Sequence, residues 1–148
     1  KMIYLAADHG GFNLKEAIKK VLDEVGMEYV DAGAHQLDLA DDYPDFVIPA
    51  ARKVSENPQT NRAIMACRSG SGEVIAANKV KDVRATLSWD VQHAIKSRQH
   101  DDANVLVLPA DYIPVEKALD IVGAWLDSDF SNEERHIRRL QKIAEIDQ

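Results

Sequence analysis

The chain has 148 residues, which suits one domain with one hydrophobic core, and we expect residues 1–148 to form a single domain. Hydrophobic residues make up 45% and charged residues 29% of the chain, a balance that argues against intrinsic disorder. The net charge of −7 disfavours a nucleic-acid partner, so any site for an anion must be built locally from a few cations.

The predicted strands are, in chain order, 2–7, 28–31, 62–66, 84–89 and 104–108. The predicted helices are 14–25, 46–55, 73–79, 91–98, 114–126 and 133–146, of which 73–79 is expected to be largely buried. Strands that alternate with helices predict a parallel sheet covered on both faces. We therefore expect a Rossmann-like, doubly wound, three-layer α/β fold with five strands in the order 2-1-3-4-5 and a C-terminal helix.

The cysteine content and hydropathy indicate a compartment. Cys67 is the single cysteine, so no internal disulfide can form, which fits a reducing environment. No apolar run approaches the roughly 20 residues of a membrane helix, and no charged-then-apolar leader is present. We expect a cytoplasmic protein with neither a membrane nor a nucleic-acid partner.

Polar residues of reactive types follow two of the predicted strands. Strand one ends in Asp8-His9, and strand three ends in Cys67 and a loop of small residues, 68–72. In the expected order the sheet reverses between these strands, and ligands bind outside the carboxyl ends of strands at such a point. We predict that 8–9 and 67–73 share one pocket. Asp8 and His9 could grip a sugar hydroxyl and a phosphate there, or could only shape the turn.

The loop 68–72 could bind an anion, because small residues let backbone N–H groups approach a ligand and the next helix adds partial positive charge. It is neither a Walker A loop nor a good dinucleotide fingerprint, and a plain tight turn is the alternative. Glu73 opens the next helix. It could be the general base of an enolisation, or a carboxylate that only complements the helix dipole.

Four further side chains offer chemistry. Cys67 could be the base if a cation such as Arg68 lowered the pKa of its thiol, or it could be a buried, inert thiol. His100 could act as a general acid–base in opening a sugar ring, or could be a solvated loop residue. Arg135 and Arg139 share one helix face and suit a phosphate, or could pair with nearby glutamates on a solvated face.

Taken in order, several of these segments resemble the ribose-5-phosphate isomerase B and galactose-6-phosphate isomerase family over nearly the whole chain. The joint occurrence of the motifs is highly specific, whereas each alone is weak. The motifs that carry the resemblance are Asp8-His9-Gly10-Gly11-Phe12, Asp42-Tyr43-Pro44-Asp45, Ser69-Gly70-Ser71-Gly72, Ile75-Ala76-Ala77-Asn78-Lys79, His100-Asp101-Asp102-Ala103-Asn104-Val105, and Arg135-His136 with Arg139.

The resemblance implies an aldose–ketose isomerase without metal or cofactor that acts through a cis-enediolate. It implies a homodimer, or a tetramer, with sites at the subunit interface. Asp8 and His100 would assist ring opening, and Ser69 would polarise the substrate. The residues whose backbone amides would hold the enediolate are Gly70, Ser71 and Gly72. The residues that would bind phosphate, some of them across the dimer, are His9, Arg135 and Arg139.

The resemblance leaves two candidates for the catalytic base. One branch of the family has a cysteine at the position of Cys67, and another has a glutamate at the position of Glu73, whereas this chain has both. The Ser-Gly-x-Gly-Glu run and Trp89 look like the glutamate branch, so we favour Glu73. We also expect Glu73 to be ionised at neutral pH without special help.

Three positions depart from the family pattern. Arg68 replaces a small residue, Asp101 replaces an asparagine that touches the sugar, and Asp111 replaces a phosphate-binding arginine. We keep Arg68 and Asp101 as candidate substrate-binding residues, and Arg68 could make up for the charge lost at Asp111. The expected reaction interconverts ribose 5-phosphate and ribulose 5-phosphate. The alternatives are a shifted substrate (allose or galactose 6-phosphate, or a free sugar) and a non-catalytic phosphosugar-binding subunit of a hetero-oligomeric isomerase.

Overall fold

Five strands and six helices alternate along residues 2–147, the part of the chain that the computed structural model describes. The strands are β1 (Ile3–Ala7), β2 (Tyr29–Asp31), β3 (Arg62–Cys67), β4 (Ala85–Leu87) and β5 (Val105–Pro109). The helices are α1 (Phe12–Glu24), α2 (Pro44–Glu56), α3 (Ser71–Asn78), α4 (Val91–Asp101), α5 (Val115–Leu126) and α6 (Glu134–Ala144), and a 3₁₀ turn (Glu145–Asp147) follows. Within residues 2–147, no helix combines the length and the apolar character needed to cross a membrane.

The strands form one parallel sheet in the order β2-β1-β3-β5-β4. The predicted α/β fold is therefore confirmed, but the predicted order of the last two strands is wrong. Every residue of β5 is buried, and this apolar strand lies beside β3 in the interior of the sheet. Strand β4 has only three residues, two of them half-buried, and such a short strand suits the edge. The reversal between β1 and β3, which positions the site, is as predicted.

Two hydrophobic cores lie on opposite faces of the sheet, because successive side chains of a strand point to opposite faces. One core joins α1 and α5 to the face that contains Leu5, Ile64 and Leu106. The other joins α2 and α3 to the face that contains Met65 and Val107. This is the three-layer arrangement expected for a doubly wound sheet.

Two helices differ from their predictions in ways that affect the site. Helix α3 is not largely buried, since Glu73 and Ala77 are its buried residues and Ile75 is 63% exposed. Helix α4 continues three residues beyond its predicted end, so His100 and Asp101 belong to its last turn and not to a loop. The helix ends where the backbone of Asp102 turns left-handed, at a φ of 47°.

Candidate active site

The segments that follow β1 and β3 meet at the carboxyl edge of the sheet. A methyl group on Gly11 would overlap the backbone carbonyl of Ala66, and one on Gly10 would overlap the side chain of Arg68. Only glycine permits this approach of the two chain segments. The structure therefore brings Asp8 and His9 beside the segment that begins at Cys67, as the order of β1 and β3 predicted.

Asp8 is buried at the end of β1 and shapes the turn into α1. Its Oδ1 accepts hydrogen bonds from the amides of Gly10 at 2.9 Å and Gly11 at 3.3 Å. These bonds fix the carboxylate at the point where β1 meets β3. Asp8 therefore shapes the turn, as one of its two predicted roles required. Its carboxylate also lies close enough to Glu73 for its charge to affect the Glu73 pKa.

His9 is held by a carboxylate that the sequence analysis missed. The Nδ1 atom of His9 lies 2.6 Å from Oδ1 of Asp41, and the same oxygen accepts the His9 amide at 3.1 Å. The hydrogen bond to Asp41 is the main cause of a raised His9 pKa, to which the charge of Asp8 adds and which the charge of Arg68 opposes. His9 is therefore a cation over a wider pH range than a free imidazole. The available signal was the acid pair Asp41-Asp42 in a loop beside the site.

Glu73 is completely buried in the first turn of α3. Neither of its carboxylate oxygens has a hydrogen-bond partner among residues 2–147. Burial raises its pKa well above the ordinary carboxyl range; the neighbouring Cys67 thiol opposes this shift, and the charge of Asp8 adds to it. The expectation that Glu73 ionises without special help is therefore wrong, because α3 turns this carboxylate into the protein interior, where burial disfavours its charged form.

Cys67 lies beside Glu73 and is also buried, and its Sγ accepts the amide of Gly70 at 3.1 Å. Burial raises the pKa of the thiol, and the negative charge of Glu73 raises it further. The suggestion that Arg68 lowers this pKa is wrong, because the Arg68 side chain extends to Asp111 instead. A thiolate at Cys67 is thus disfavoured at neutral pH.

The segment 69–72, which links β3 to the first turn of α3, is exposed at both serines and buried at Gly70. The amide of Ser71 donates to Oγ of Ser69 at 3.3 Å, which steadies the turn. Gly70 has a φ of +83°, and a side chain there would also overlap Leu87. Tyr43, which had no predicted role, packs its ring against Gly72 and so covers the start of α3.

Arg68 and Asp111, two of the departures from the family pattern, pair with each other. The Nε atom of Arg68 donates to Oδ2 of Asp111 at 2.9 Å, although both side chains remain partly exposed. The negative charge at Asp111 is thus neutralised by the positive charge at Arg68. The departures are coupled, since one supplies the counter-ion of the other.

His100, Asp101, Arg135 and Arg139 lie at the other end of the sheet. Helix α4 returns to the amino end of β5, so its last turn, with His100 and Asp101, lies a strand length from the segment at Cys67. Strand β3 has six residues and spans about 20 Å. The predicted site residues therefore form two groups within one chain: Asp8, His9 and 67–73 at the carboxyl edge, and the α4 and α6 residues at the amino edge.

The α6 group is organised around His136, which is buried and whose ring centroid lies 4.5 Å from that of His100. The Nδ1 atom of His136 lies 2.7 Å from Oγ of Ser131. Arg135 pairs with Glu133 at 2.9 Å, as its solvated-face interpretation anticipated. Arg139 is exposed one turn further along the helix. His136 therefore anchors a helix on which Arg135 and Arg139 are both exposed.

One group of side chains at the carboxyl edge has the composition of a metal site. Ligand atoms of Asp8, His9 and Asp41 lie within 4.8 Å of one another. Most of these atoms already bond within the group or to the β1–α1 turn, as the 2.6 Å contact between His9 and Asp41 shows. Oδ2 of Asp41 is buried without a partner among residues 2–147. The arrangement is explained by the pairing of His9 and needs no ion.

Fold and site together define a class: a doubly wound α/β domain with a buried carboxylate and thiol at the switch point of its sheet. The family described as ribose/galactose isomerase matches residues 3–143, and the chain belongs to this family. The predicted resemblance is confirmed, and with it the predicted class of enzyme, an aldose–ketose isomerase.

Individual relatives agree with the family match. The ribose-5-phosphate isomerase B of Mycobacterium tuberculosis is 39% identical over 98% of this chain and 89% of its own length. The crystal structure of ribose-5-phosphate isomerase B from Mycoplasma genitalium with bound ribulose-5-phosphate superposes with a TM-score of 0.95 at 38% identity, covering 99% of this chain and 95% of that one. A structure of the Clostridium thermocellum ribose-5-phosphate isomerase B gives 0.93 at 40% identity, with 99% and 97% covered.

Proposed function

We propose that this protein interconverts ribose 5-phosphate and ribulose 5-phosphate, and that Glu73 carries the proton. The observation that carries the proposal is the buried Glu73 carboxylate, which has no hydrogen-bond partner among residues 2–147 and lies beside Cys67 at the switch point of the sheet. The relatives named ribose-5-phosphate isomerase B, one of them solved with bound ribulose-5-phosphate, support this choice of substrate.

The proposed reaction moves one hydrogen within the substrate. The Glu73 carboxylate removes the proton from C2 of the open-chain aldose, and the electron pair of that C–H bond forms the double bond between C1 and C2. The former carbonyl oxygen on C1 takes up the negative charge of a cis-enediolate. Glu73 then returns a proton to C1, and the proton of the C2 hydroxyl passes to the negatively charged oxygen on C1, so that C2 becomes the new carbonyl and C1 an alcohol. No electrons leave the sugar, so the reaction needs no redox cofactor.

The burial of Glu73 favours this chemistry. In its ionised form, a carboxylate with a raised pKa is a stronger base than an ordinary carboxylate, which suits removal of a weakly acidic C–H proton. The enediolate oxygen would lie at the amino end of α3, where the amides of Ser71 and Gly72 and the helix dipole oppose its charge. Ser69 would polarise the carbonyl from the exposed side of the loop. Asp8, fixed at the end of β1, would assist ring opening.

A second copy of the chain would complete the site. His100, Asp101, Arg135 and Arg139 lie about a strand length from Glu73 in the same chain, which no side chain can bridge. We propose that these residues reach the substrate from a partner copy in a homodimer, where His100 assists ring opening and the two arginines bind phosphate with His9. Asp101 would contact the sugar. Two-fold symmetry then produces two equivalent sites.

The deciding experiment incubates the protein with ribose 5-phosphate in deuterium oxide and follows the sugars by NMR. We expect ribulose 5-phosphate with deuterium at C1, together with deuterium at C2 of the remaining ribose 5-phosphate. Glu73→Gln is the matched control, because it keeps the shape of the side chain and removes the base. A parallel panel of allose 6-phosphate, galactose 6-phosphate and free ribose identifies a shifted substrate. Binding without turnover of any of them would indicate a non-catalytic subunit instead.

A further inference from the structure

One nitrogen of the Arg68 guanidinium is hydrogen-bonded, and the other two are available to bind a ligand. Its Nε donates to Oδ2 of Asp111, and this is the only hydrogen bond that the group makes among residues 2–147. The two terminal nitrogens keep their donors, and the side chain is 68% exposed. A guanidinium presents such donors in a planar fork that matches two oxygens of a phosphate.

The stem of this arginine packs against the β1–α1 turn, although most of the side chain is exposed. Its methylene groups pack on Gly10, where any side chain would displace them. The charge of Arg68 acts on both Asp8 and His9, the two residues that precede that glycine. The guanidinium therefore lies near His9 at the carboxyl edge of the sheet.

Asp111 is itself held in place by the backbone. Its amide donates to the carbonyl of Arg68 at 3.0 Å, and the amide of Ala110 donates to the carbonyl of Cys67 at 2.8 Å. The turn after β5 is thus bonded directly to the segment after β3. A carboxylate on this turn can restrict the rotamers of Arg68 before any ligand arrives, which lowers the entropy cost of binding.

We propose that Arg68 binds the phosphate group of the substrate through its two terminal nitrogens, and that Asp111 is the positioning residue that holds it. The inference rests on the proposed function for the identity of the substrate. Arg68 would then be a specificity determinant for phosphorylated sugars. Two cations beside Gly10 are then each held by a carboxylate: His9 by Asp41 and Arg68 by Asp111.

The test compares Arg68→Met with the wild type on ribose 5-phosphate and measures competitive inhibition by inorganic phosphate. We expect KM and the phosphate inhibition constant to rise together by about tenfold, with kcat nearly unchanged, because a uniform binding contact is removed. Arg68→Lys keeps the charge but loses the planar pair of donors, so its KM and phosphate inhibition constant should lie between those of the wild type and Arg68→Met. Arg52→Met, which removes the same charge from an exposed position on α2, should leave both constants unchanged.

The role of Asp111 needs its own variants. Asp111→Asn should raise KM by about threefold without lowering kcat, and Asp111→Glu should restore most of the loss. Adding Asp111→Asn to Arg68→Met should cost nothing more, since the residue acts through Arg68. Costs that multiply in the double variant would contradict a positioning role.

Two outcomes overturn the inference about Arg68: unchanged phosphate inhibition in a natively folded Arg68→Met, or a wild type that binds no phosphate. In the first case, continued turnover of ribose 5-phosphate leaves the proposed function intact. A wild type that does not turn over ribose 5-phosphate would contradict the proposed function. Calorimetry with inorganic phosphate would then still test whether Arg68 binds phosphate. Binding that weakens about tenfold in Arg68→Met supports the inference even if the sugar is different.

Discussion

The Nδ1 atom of His9 lies 2.6 Å from Oδ1 of Asp41, across a loop that joins residues 32 positions apart in the sequence. This contact raises the pKa of His9, so the imidazolium and its attraction for phosphate persist to higher pH than in a free histidine. Asp41→Asn should lower the His9 pKa toward its ordinary value. The KM for ribose 5-phosphate should then begin to rise at a lower pH than in the wild type.

An NMR titration of the His9 ring measures this pKa directly, alongside KM across the range pH 5–9. Asp42→Asn is the matched control, because it removes the same charge from the adjacent, exposed position. An identical His9 titration in wild type and Asp41→Asn would show that the contact has no electrostatic effect.

The choice between Glu73 and Cys67 as base can be made kinetically. Glu73→Gln should lower kcat by about 10²- to 10⁴-fold and abolish deuterium exchange, since a general base contributes on this scale. Cys67→Ala should keep activity within a few-fold, because burial disfavours its thiolate. The reverse pattern, with an inactive Cys67→Ala and an active Glu73→Gln, would assign the base to the thiol.

The buried carboxylate of Glu73 should also make stability depend on pH. The pKa of Glu73 is higher in the folded state than in the unfolded state. Its contribution to the free energy of unfolding is therefore fully present below about pH 4.5 and is lost as pH rises through the folded-state pKa. Between the unfolded-state and the folded-state pKa, each rise of one pH unit should lower the free energy of unfolding by about 1 kcal/mol. Glu73→Gln removes the titrating group, so its stability relative to the wild type should increase with pH.

Urea denaturation between pH 5 and 8 measures this difference, and Cys67→Ala serves as the control because its site carries no thiolate at these pH values. A constant difference between Glu73→Gln and the wild type across this range would mean that Glu73 is already ionised in the folded protein.

Gly11 provides a test of how closely β1 and β3 approach. Gly11→Ala should destabilise the fold by about 3 kcal/mol, because its methyl group would overlap the backbone carbonyl of Ala66, which cannot move aside. Gly123→Ala is the matched control on α5, where nothing lies within 4 Å of the new methyl group. That change should stabilise the helix by about 0.5–1 kcal/mol. Equal unfolding midpoints for the two variants would contradict the described packing.

A shared site between two copies predicts complementation. Glu73→Gln and His100→Ala should each be nearly inactive alone. After their subunits exchange, activity should return to about one quarter of the wild type, because half of the dimers are mixed and each holds one intact site. Absence of any recovery after verified exchange would place His100 and Glu73 in separate functions.

The division between sequence and tertiary structure is clear at particular residues. The apolar runs of β1, β3 and β5 and the alternation with helices determined the α/β class and the carboxyl edge, because period and polarity are local properties. The strand order could not be predicted from local pattern. The fully buried β5 lies in the interior of the sheet and the short β4 at its edge, because the position of a strand depends on how the whole sheet packs. Likewise, the type and spacing of Asp8, His9 and Glu73 could be read directly.

Only the folded chain decided which partners those residues have. Asp41 reaches His9 from a distant loop, and Asp111 reaches Arg68 from the turn after β5. The orientation of α3 buries Glu73 and raises its pKa, which no spacing in the sequence could show. Charge states depend on solvent exclusion and neighbouring charges, and both arise only when segments remote in the chain pack together.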